Sequence, residues 1–339
     1  MPVSLTIGAD DDGRRLDRLL RKHLAALPLS AIHRLLRTGR ILVDGKRASA
    51  ADRLRSGSIL TLPDAAAAAS VDRGTAPSPQ LAESPIGAVP LTHIQIVWED
   101  EDLLVVSKDA GVLVHGEESL EQAVLERLRG RLEPSLSFRP GPLHRLDRGT
   151  SGLVTFSVSI RGARAFSEAL RSRKIRKRYL AILEGELSGI EEWADELVRD
   201  GDAKTTRVVT REAAAGGSAG ATKTATTRAM SLAKEGGRTL ALVEIGTGRT
   251  HQIRSQAASR GHPLLGDVKY GGAYADGGFF LHAYELAVPP GNGLNLPPLL
   301  IAPPPPRFLC RVADLFGAEI VRALSDRLPT DSFEPTTHA

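Results

Sequence analysis

The stretch from Pro63 to Pro90, "PDAAAAASVDRGTAPSPQLAESPIGAVP", constrains the fold of this chain more than any other feature. It is rich in Ala, Pro, Ser and Gly and follows neither a helical nor a strand period. Such a segment buries too little to offset the entropy of ordering it, so it reads as a flexible linker, extended at its prolines. The chain on either side must then fold as separate blocks. The pattern predicts a small block over 13–62, the linker over 63–92, a large block over 93–315 and a tail over 316–339. A length of 339 residues fits two domains.

In the small block, "RLDRLLRKHLAAL" sets Leu16, Leu19, Leu20, Leu24 and Leu27 on one face of a helix. "LSAIHRLLRTG" predicts a second helix. Ser30 is its expected cap, Ile32, Leu35 and Leu36 are its inner face, and Gly39 ends it. Arg34 and Arg37 share the opposite face. Ile41 and Val43 alternate in "RILVDGK", and Asp44-Gly45 is a tight-turn signal. "GSILTL" is a further strand.

The large block carries strand-like runs in "IQIVWEDEDLLVVSK", "GLVTFSV", "RYLAILEG", "TLALVEIGTG" and "FFLHAYELAV". "SLEQAVLERLRGRL" and "RGARAFSEALRSRK" read as helices. Strands outnumber helices without regular alternation, so the expected class is α+β, built on mainly antiparallel sheet. "EAAAGGSAGA", Glu212 to Ala221, reads as a mobile loop, and the tail as one short amphipathic stretch followed by polar residues.

Apolar runs are too short for a membrane span, and the N-terminus lacks the pattern of a secretory signal. The single cysteine, Cys310, is read as a small core residue, and its solitude fits a reducing cytoplasm. The net charge of +4 is modest but uneven. Between Arg14 and Arg55 there are 12 Lys/Arg against 3 Asp/Glu, and Arg171 to Arg178 holds six basic residues in eight. Such clusters are the footprint of a polyanion, with nucleic acid first among them.

Two stretches concentrate chemistry. "HRLDRGTSG", His144 to Gly152, places Asp147 between Arg145 and Arg148 and ahead of small residues. "TGRTHQIRSQAASRGHPLLGDVKYGG" sets Arg249, His251 and Arg254 just after a glycine turn. Its basic and amide residues suit a phosphate-binding turn better than a metal, which would call for carboxylates or thiols. No metal is expected.

Taken in order, "EDEDLLVVSKDAGVLVHG", "HRLDRGTSGLV", "KIRKRYLAILEG", "TGRTHQIR…GHPLLGDVKYGG", "LHAYELAV" and "IAPPPPRF" resemble the RluA family of RNA pseudouridine synthases. "LDRLL", "SAIHRLLRTGRILVDGK" and "RLRSGSIL" resemble the S4-like RNA-binding domain. The resemblance implies an isomerase that converts uridine to pseudouridine within RNA, on a pseudouridine synthase fold and without a cofactor. It places the catalytic carboxylate at Asp147, a cation partner at Arg254, a base-contacting tyrosine at Tyr179 and an apolar wall at Ile253. Arg145 would fill the space of a flipped nucleotide. Arg148, Arg249 and His251 would meet RNA around the site. In the S4-like block, Arg34, Arg37, Arg40, Lys46 and Arg47 would meet phosphates. Gly149, Thr150, Ser151 and Gly152 would let the backbone approach RNA.

The implied substrate is large-subunit (23S) ribosomal RNA or a pre-ribosomal particle, met by a monomer in the cytoplasm. A transfer-RNA enzyme and a non-catalytic assembly factor are the alternatives, and the intact set Asp147, Tyr179 and Arg254 argues against the second. The chain departs from the family pattern at Asp109, where proline is usual, and at Ser255-Gln256.

Overall fold

The computed structural model describes residues 2–64, 94–132, 135–136, 138–209, 221–291 and 293–326. The linker from 65 onward, the loop Glu212 to Gly220 and the tail beyond 326 lie outside them. In the small block a four-stranded sheet backs two helices. β1 (Val3–Thr6) is followed by α1 (Leu16–His23), α2 (Leu29–Arg37), β2 (Leu42–Val43), β3 (Lys46–Arg47) and β4 (Ile59–Leu62), with sheet order β1-β4-β2-β3. Leu16, Leu19, Leu20 and Leu24 are buried on Ile32, Leu36, Leu60 and Leu62, whereas α1 ends at His23 and Leu27 beyond it is half-buried; Leu136 of the large block packs on the rim of this core. Asp44 and Gly45 both adopt positive φ, the two-residue turn that matches strand twist. It brings Val43 opposite Lys46.

Two local expectations fail. The sheet starts ahead of Gly13, because β1 pairs along β4; its short, mostly exposed VSLT sequence carries too weak a pattern to be noticed. Ser30 does not cap α2. Pro28 holds the cap position, and its fixed φ suits a helix entry.

The large block begins with β5 (Gln95–Glu99), β6 (Leu103–Lys108), α3 (Leu120–Leu128), β7 (Gly141–Pro142), β8 (Ser151–Ser157), α4 (Ile160–Arg171) and β9 (Arg176–Glu184). β10 (Ile190–Asp200), β11 (Thr205–Val209), β12 (Lys223–Glu235), β13 (Arg238–Ile245) and α5 (Gln252–Ser259) come next. β14 (Leu281–Ala287), β15 (Leu299–Ile301), α6 (Pro306–Phe316) and α7 (Ala318–Ser325) complete it. Eleven strands form one sheet in the order β11-β10-β12-β13-β9-β14-β8-β6-β5, with β15 on β14 and β7 on β8. Among these named strands every pairing but β14–β8 is antiparallel. The class is therefore α+β on a mainly antiparallel sheet.

Both faces are covered, so the central strands are apolar on both sides. On one face Leu104, Val106, Val154, Phe156, Tyr179, Ala181 and Leu183 pack against α3 and α5. On the other, Leu180 and Ile182 meet Phe308 and Val312 of α6, while Leu103, Val105 and Leu153 meet Phe166 of α4. Cys310 is exposed on α6, not in the core, because Phe308, Val312 and Phe316 take the buried stripe. The Arg171–Arg178 run is not one basic face either. The Arg178 side chain is buried in the sheet between Glu244 and Glu285.

Candidate active site

Asp147 stands on the loop that enters β8, and three anchors hold that loop. The Asp147 carbonyl accepts the Thr150 N–H at 3.1 Å. Lys108, buried at the end of β6, donates to the carbonyls of Asp109, Val112 and Arg148 at 2.8, 2.9 and 3.2 Å. Burial pulls the Lys108 pKa down to about 8, against the opposing pull of the Asp109 and Asp147 charges. The third anchor is Gly152, at φ 104, where a Cβ would strike the Ala283 backbone of β14. Thr150, Ser151 and Gly152 are buried, and at Gly152 the close approach of β14 leaves no room for a side chain.

The motif after the glycine turn folds into α5, whose Gln252, Arg254, Ser255 and Gln256 are all buried. A helix with so many buried polar groups must satisfy each of them. Gln252 accepts from the Arg249 N–H and donates to the Thr226 carbonyl. Gln256, a departure from the family pattern, accepts from the Thr227 hydroxyl and donates to Asp195 on β10. Arg254 has three charged contacts. Nε and Nη2 grip Asp267 at 2.7 and 2.8 Å, and Nη1 donates to Asp147 Oδ2 at 3.1 Å. Its guanidinium also lies 4.4 Å from the Phe279 ring centre and 4.8 Å from that of Tyr270. The planar fork thus links two carboxylates through one rigid cation.

A cavity of about 370 Å³ opens above Asp147. Tyr179, Ile253 and Leu281 line its apolar wall, and Arg145, Arg173, Lys177, Arg249, His251 and Arg254 its basic wall. Tyr179 rises from β9 on the face covered by α5. Burial first, then the Asp147 charge, push its hydroxyl pKa well up, so it stays protonated. Arg145 and Arg249 are exposed on the cavity wall. Of the expected RNA-contacting residues around the site, Arg148 is not among the walls. Its Nε donates to the Gly111 carbonyl and braces the Asp147 loop. Arg34, Arg37, Arg40, Lys46 and Arg47 are all exposed on the small block.

One carboxylate and a cluster of cations around a pocket of nucleotide size suit chemistry on an anionic polymer. The model of the family described as RNA pseudouridylate synthase matches residues 102–259, and that of the S4 domain matches 14–60. A ribosomal large subunit pseudouridine synthase C from Haemophilus influenzae is 32% identical over 302 residues, spanning 86% of this chain and 89% of that protein. The chain belongs to the RluA family of RNA pseudouridine synthases. The Escherichia coli K12 protein of the same description is 32% identical over 301 residues, covering 85% of this chain and 89% of its own length. In fold, the synthase is similar to human RNA pseudouridylate synthase domain containing 1, with a TM-score of 0.53 at 23% identity, over 69% of this chain and 96% of that one.

The synthase acts on RNA, isomerising uridine to pseudouridine. Its pocket also depends on three residues to which the sequence alone attaches no role: Lys108, Asp267 and Tyr270. Asp267 and Tyr270 belong to "GDVKYGG". A lone Asp or Tyr in a glycine-rich turn carries no sign of which buried cation it will meet.

Proposed function

We propose that the substrate is large-subunit ribosomal RNA, free or in a pre-ribosomal particle, and that a monomer in the cytoplasm modifies it. The S4-type block and the relatives' ribosomal large-subunit descriptions support this reading. No described helix is long and apolar enough to cross a membrane. We take the working units as the RNA-binding block over 13–62, extended by β1, and the catalytic block over 93–315, extended through α7, joined by 63–92.

The observation that carries the mechanism is the 3.1 Å bond from Arg254 to Asp147 beneath a basic cavity. Pseudouridine forms when the bond from ribose C1′ to uracil N1 breaks and C1′ bonds to C5 instead. Asp147, 18% exposed, is the one acidic side chain on the cavity wall among the described residues. Its charge serves either attack at C1′ or removal of a sugar proton. Arg254 binds Oδ2 and fixes the direction of the carboxylate. Tyr179 and Ile253 hold the uracil against the wall while it turns, and Arg145 takes the place vacated by the flipped nucleotide. His251 and Arg249 flank this path, with Arg249 on a phosphate, while Arg148 braces the Asp147 loop.

Asp147→Asn keeps the shape and removes the charge. It is expected to bind RNA normally and make no product. Turnover by the purified variant would overturn the assignment. Mapping pseudouridine in ribosomal and transfer RNA, with and without the gene, tests the substrate; a loss confined to transfer RNA would refute it.

A further inference from the structure

His251 is the one non-glycine residue within the site turn at positive φ, 53°, directly before α5. A side chain held in that region marks a position fixed by its surroundings. Its ring meets Tyr270 edge-on, with centroids 5.7 Å apart and planes at 90°. The Tyr270 oxygen lies 2.8 Å from His251 Nδ1 and also accepts the Thr206 N–H of β11 at 2.8 Å. With the Thr206 N–H already directed at its oxygen, the hydroxyl has one proton to give, and His251 Nδ1 is the acceptor within reach. An accepting Nδ1 leaves the proton of the neutral ring on Nε2. That nitrogen lies 3.8 Å from Asp147 Oδ2, the oxygen that Arg254 already binds.

We propose that Tyr270 locks His251 in the Nε2–H tautomer, making it a second donor to Asp147 Oδ2 and leaving Oδ1 to face the ribose. The proposal rests on reading Asp147 as the catalytic carboxylate. Among the described residues Oδ1 has no hydrogen-bond partner, as the reacting oxygen should. The 3.8 Å gap is longer than a hydrogen bond; such contacts commonly tighten when substrate fills a site. The groups facing the ring are Asp147, Arg254, Asp267, Lys269 and Tyr270. Burial pulls the His251 pKa down, and the Arg254 and Lys269 charges add to this against the Asp147 and Asp267 charges. The ring is therefore neutral at physiological pH, the state in which tautomer matters. Tyr270 and His251 act as positioning residues. They join the backbone of β11 to the carboxylate.

The test uses full-length protein labelled with 15N-histidine. The His251 resonance is assigned by its loss in His251→Gln. Wild type should show Nδ1 unprotonated and Nε2 protonated at pH 7 to 8. Tyr270→Phe removes the donor to Nδ1, so its ring should populate both tautomers and titrate at higher pH. Its kcat should fall on the order of 10²-fold, the usual cost of a misdirected catalytic group, with RNA affinity unchanged. His251→Gln, whose amide can accept from Tyr270 and donate to Asp147, should retain more kcat than His251→Phe. An Nδ1–H tautomer in wild type, or wild-type tautomer and kcat in Tyr270→Phe, would overturn the lock. Turnover by Asp147→Asn beside an intact Nε2–H tautomer would instead overturn the reading of Asp147 on which the proposal rests.

Discussion

Asp267→Asn removes one negative charge from the centre of the site and changes almost no volume. The Asp267 side chain is 1% exposed and receives two bonds from Arg254 at 2.7 and 2.8 Å. Hydrogen bonds to charged groups contribute about 1.5–3 kcal/mol each, so the pair is worth roughly 3–6 kcal/mol. Breaking a buried ion pair from one side costs about 3–5 kcal/mol. Asp147 still faces Arg254 in the variant, which places the loss near the lower end, about 3 kcal/mol. In a chain of this size each kcal/mol moves Tm by about 2–4 °C, so calorimetry should show a fall of roughly 6–12 °C. Arg254 would then pivot toward Asp147, and single-turnover pseudouridine formation at saturating RNA should slow by about 10²-fold. Wild-type Tm together with wild-type rate would refute the idea that Asp267 sets the direction of Arg254.

Other expectations follow the same geometry. Arg254→Ala should lose nearly all activity at neutral pH, whereas Arg254→Lys, which keeps the charge but not the fork, should retain part of it in the same assay. Arg249→Ala should weaken RNA binding, and low salt should restore part of the loss in a filter-binding titration. Replacing Arg34, Arg37 and Arg40 together by Ala should lower the slope of log K against log salt by about 2 to 3, as expected for three lost phosphate contacts. His282 is buried, near the Ser151 hydroxyl and the Ala302 carbonyl, and burial pulls its pKa down to about 4. The unfolded chain takes up this proton below about pH 6.5 and the folded chain does not, so His282 costs about 2 kcal/mol of stability by pH 5. Tm measured from pH 7 to pH 5 should fall less steeply in His282→Gln than in wild type.

Strands whose apolar residues run unbroken, such as "LLVV" in β6 and "LAIL" in β9, were plain in the sequence because both faces of the central sheet are covered. β10, β11 and β12 escaped notice. Their Trp193, Ala225 and Ala229 are buried, but they alternate with charged and hydroxyl residues at the sheet's outer end. The pairing of Asp147 with Arg254 came from motif resemblance, and the structure brings the two within 3.1 Å across 107 residues of chain. What sequence could not reveal was the support beneath them. The three carbonyls around Lys108, the grip of Asp267 and the Tyr270–His251 contact depend on where separate loops converge. The same holds for Gly152, whose close neighbour is the β14 backbone, far away in sequence.

The parallel pairing of β8 with β14 sets Ser151 beside His282. A ribosome making this protein must therefore finish nearly the whole catalytic block before the pocket can close. The small block, which meets Ser135 and Leu136 of the large one at its rim, emerges much earlier. The gap is roughly 200 residues, or about 10–40 s of synthesis at typical elongation rates. During that interval the growing chain carries its first block and no closed pocket. Assembly of the pocket therefore comes last in the making of each molecule.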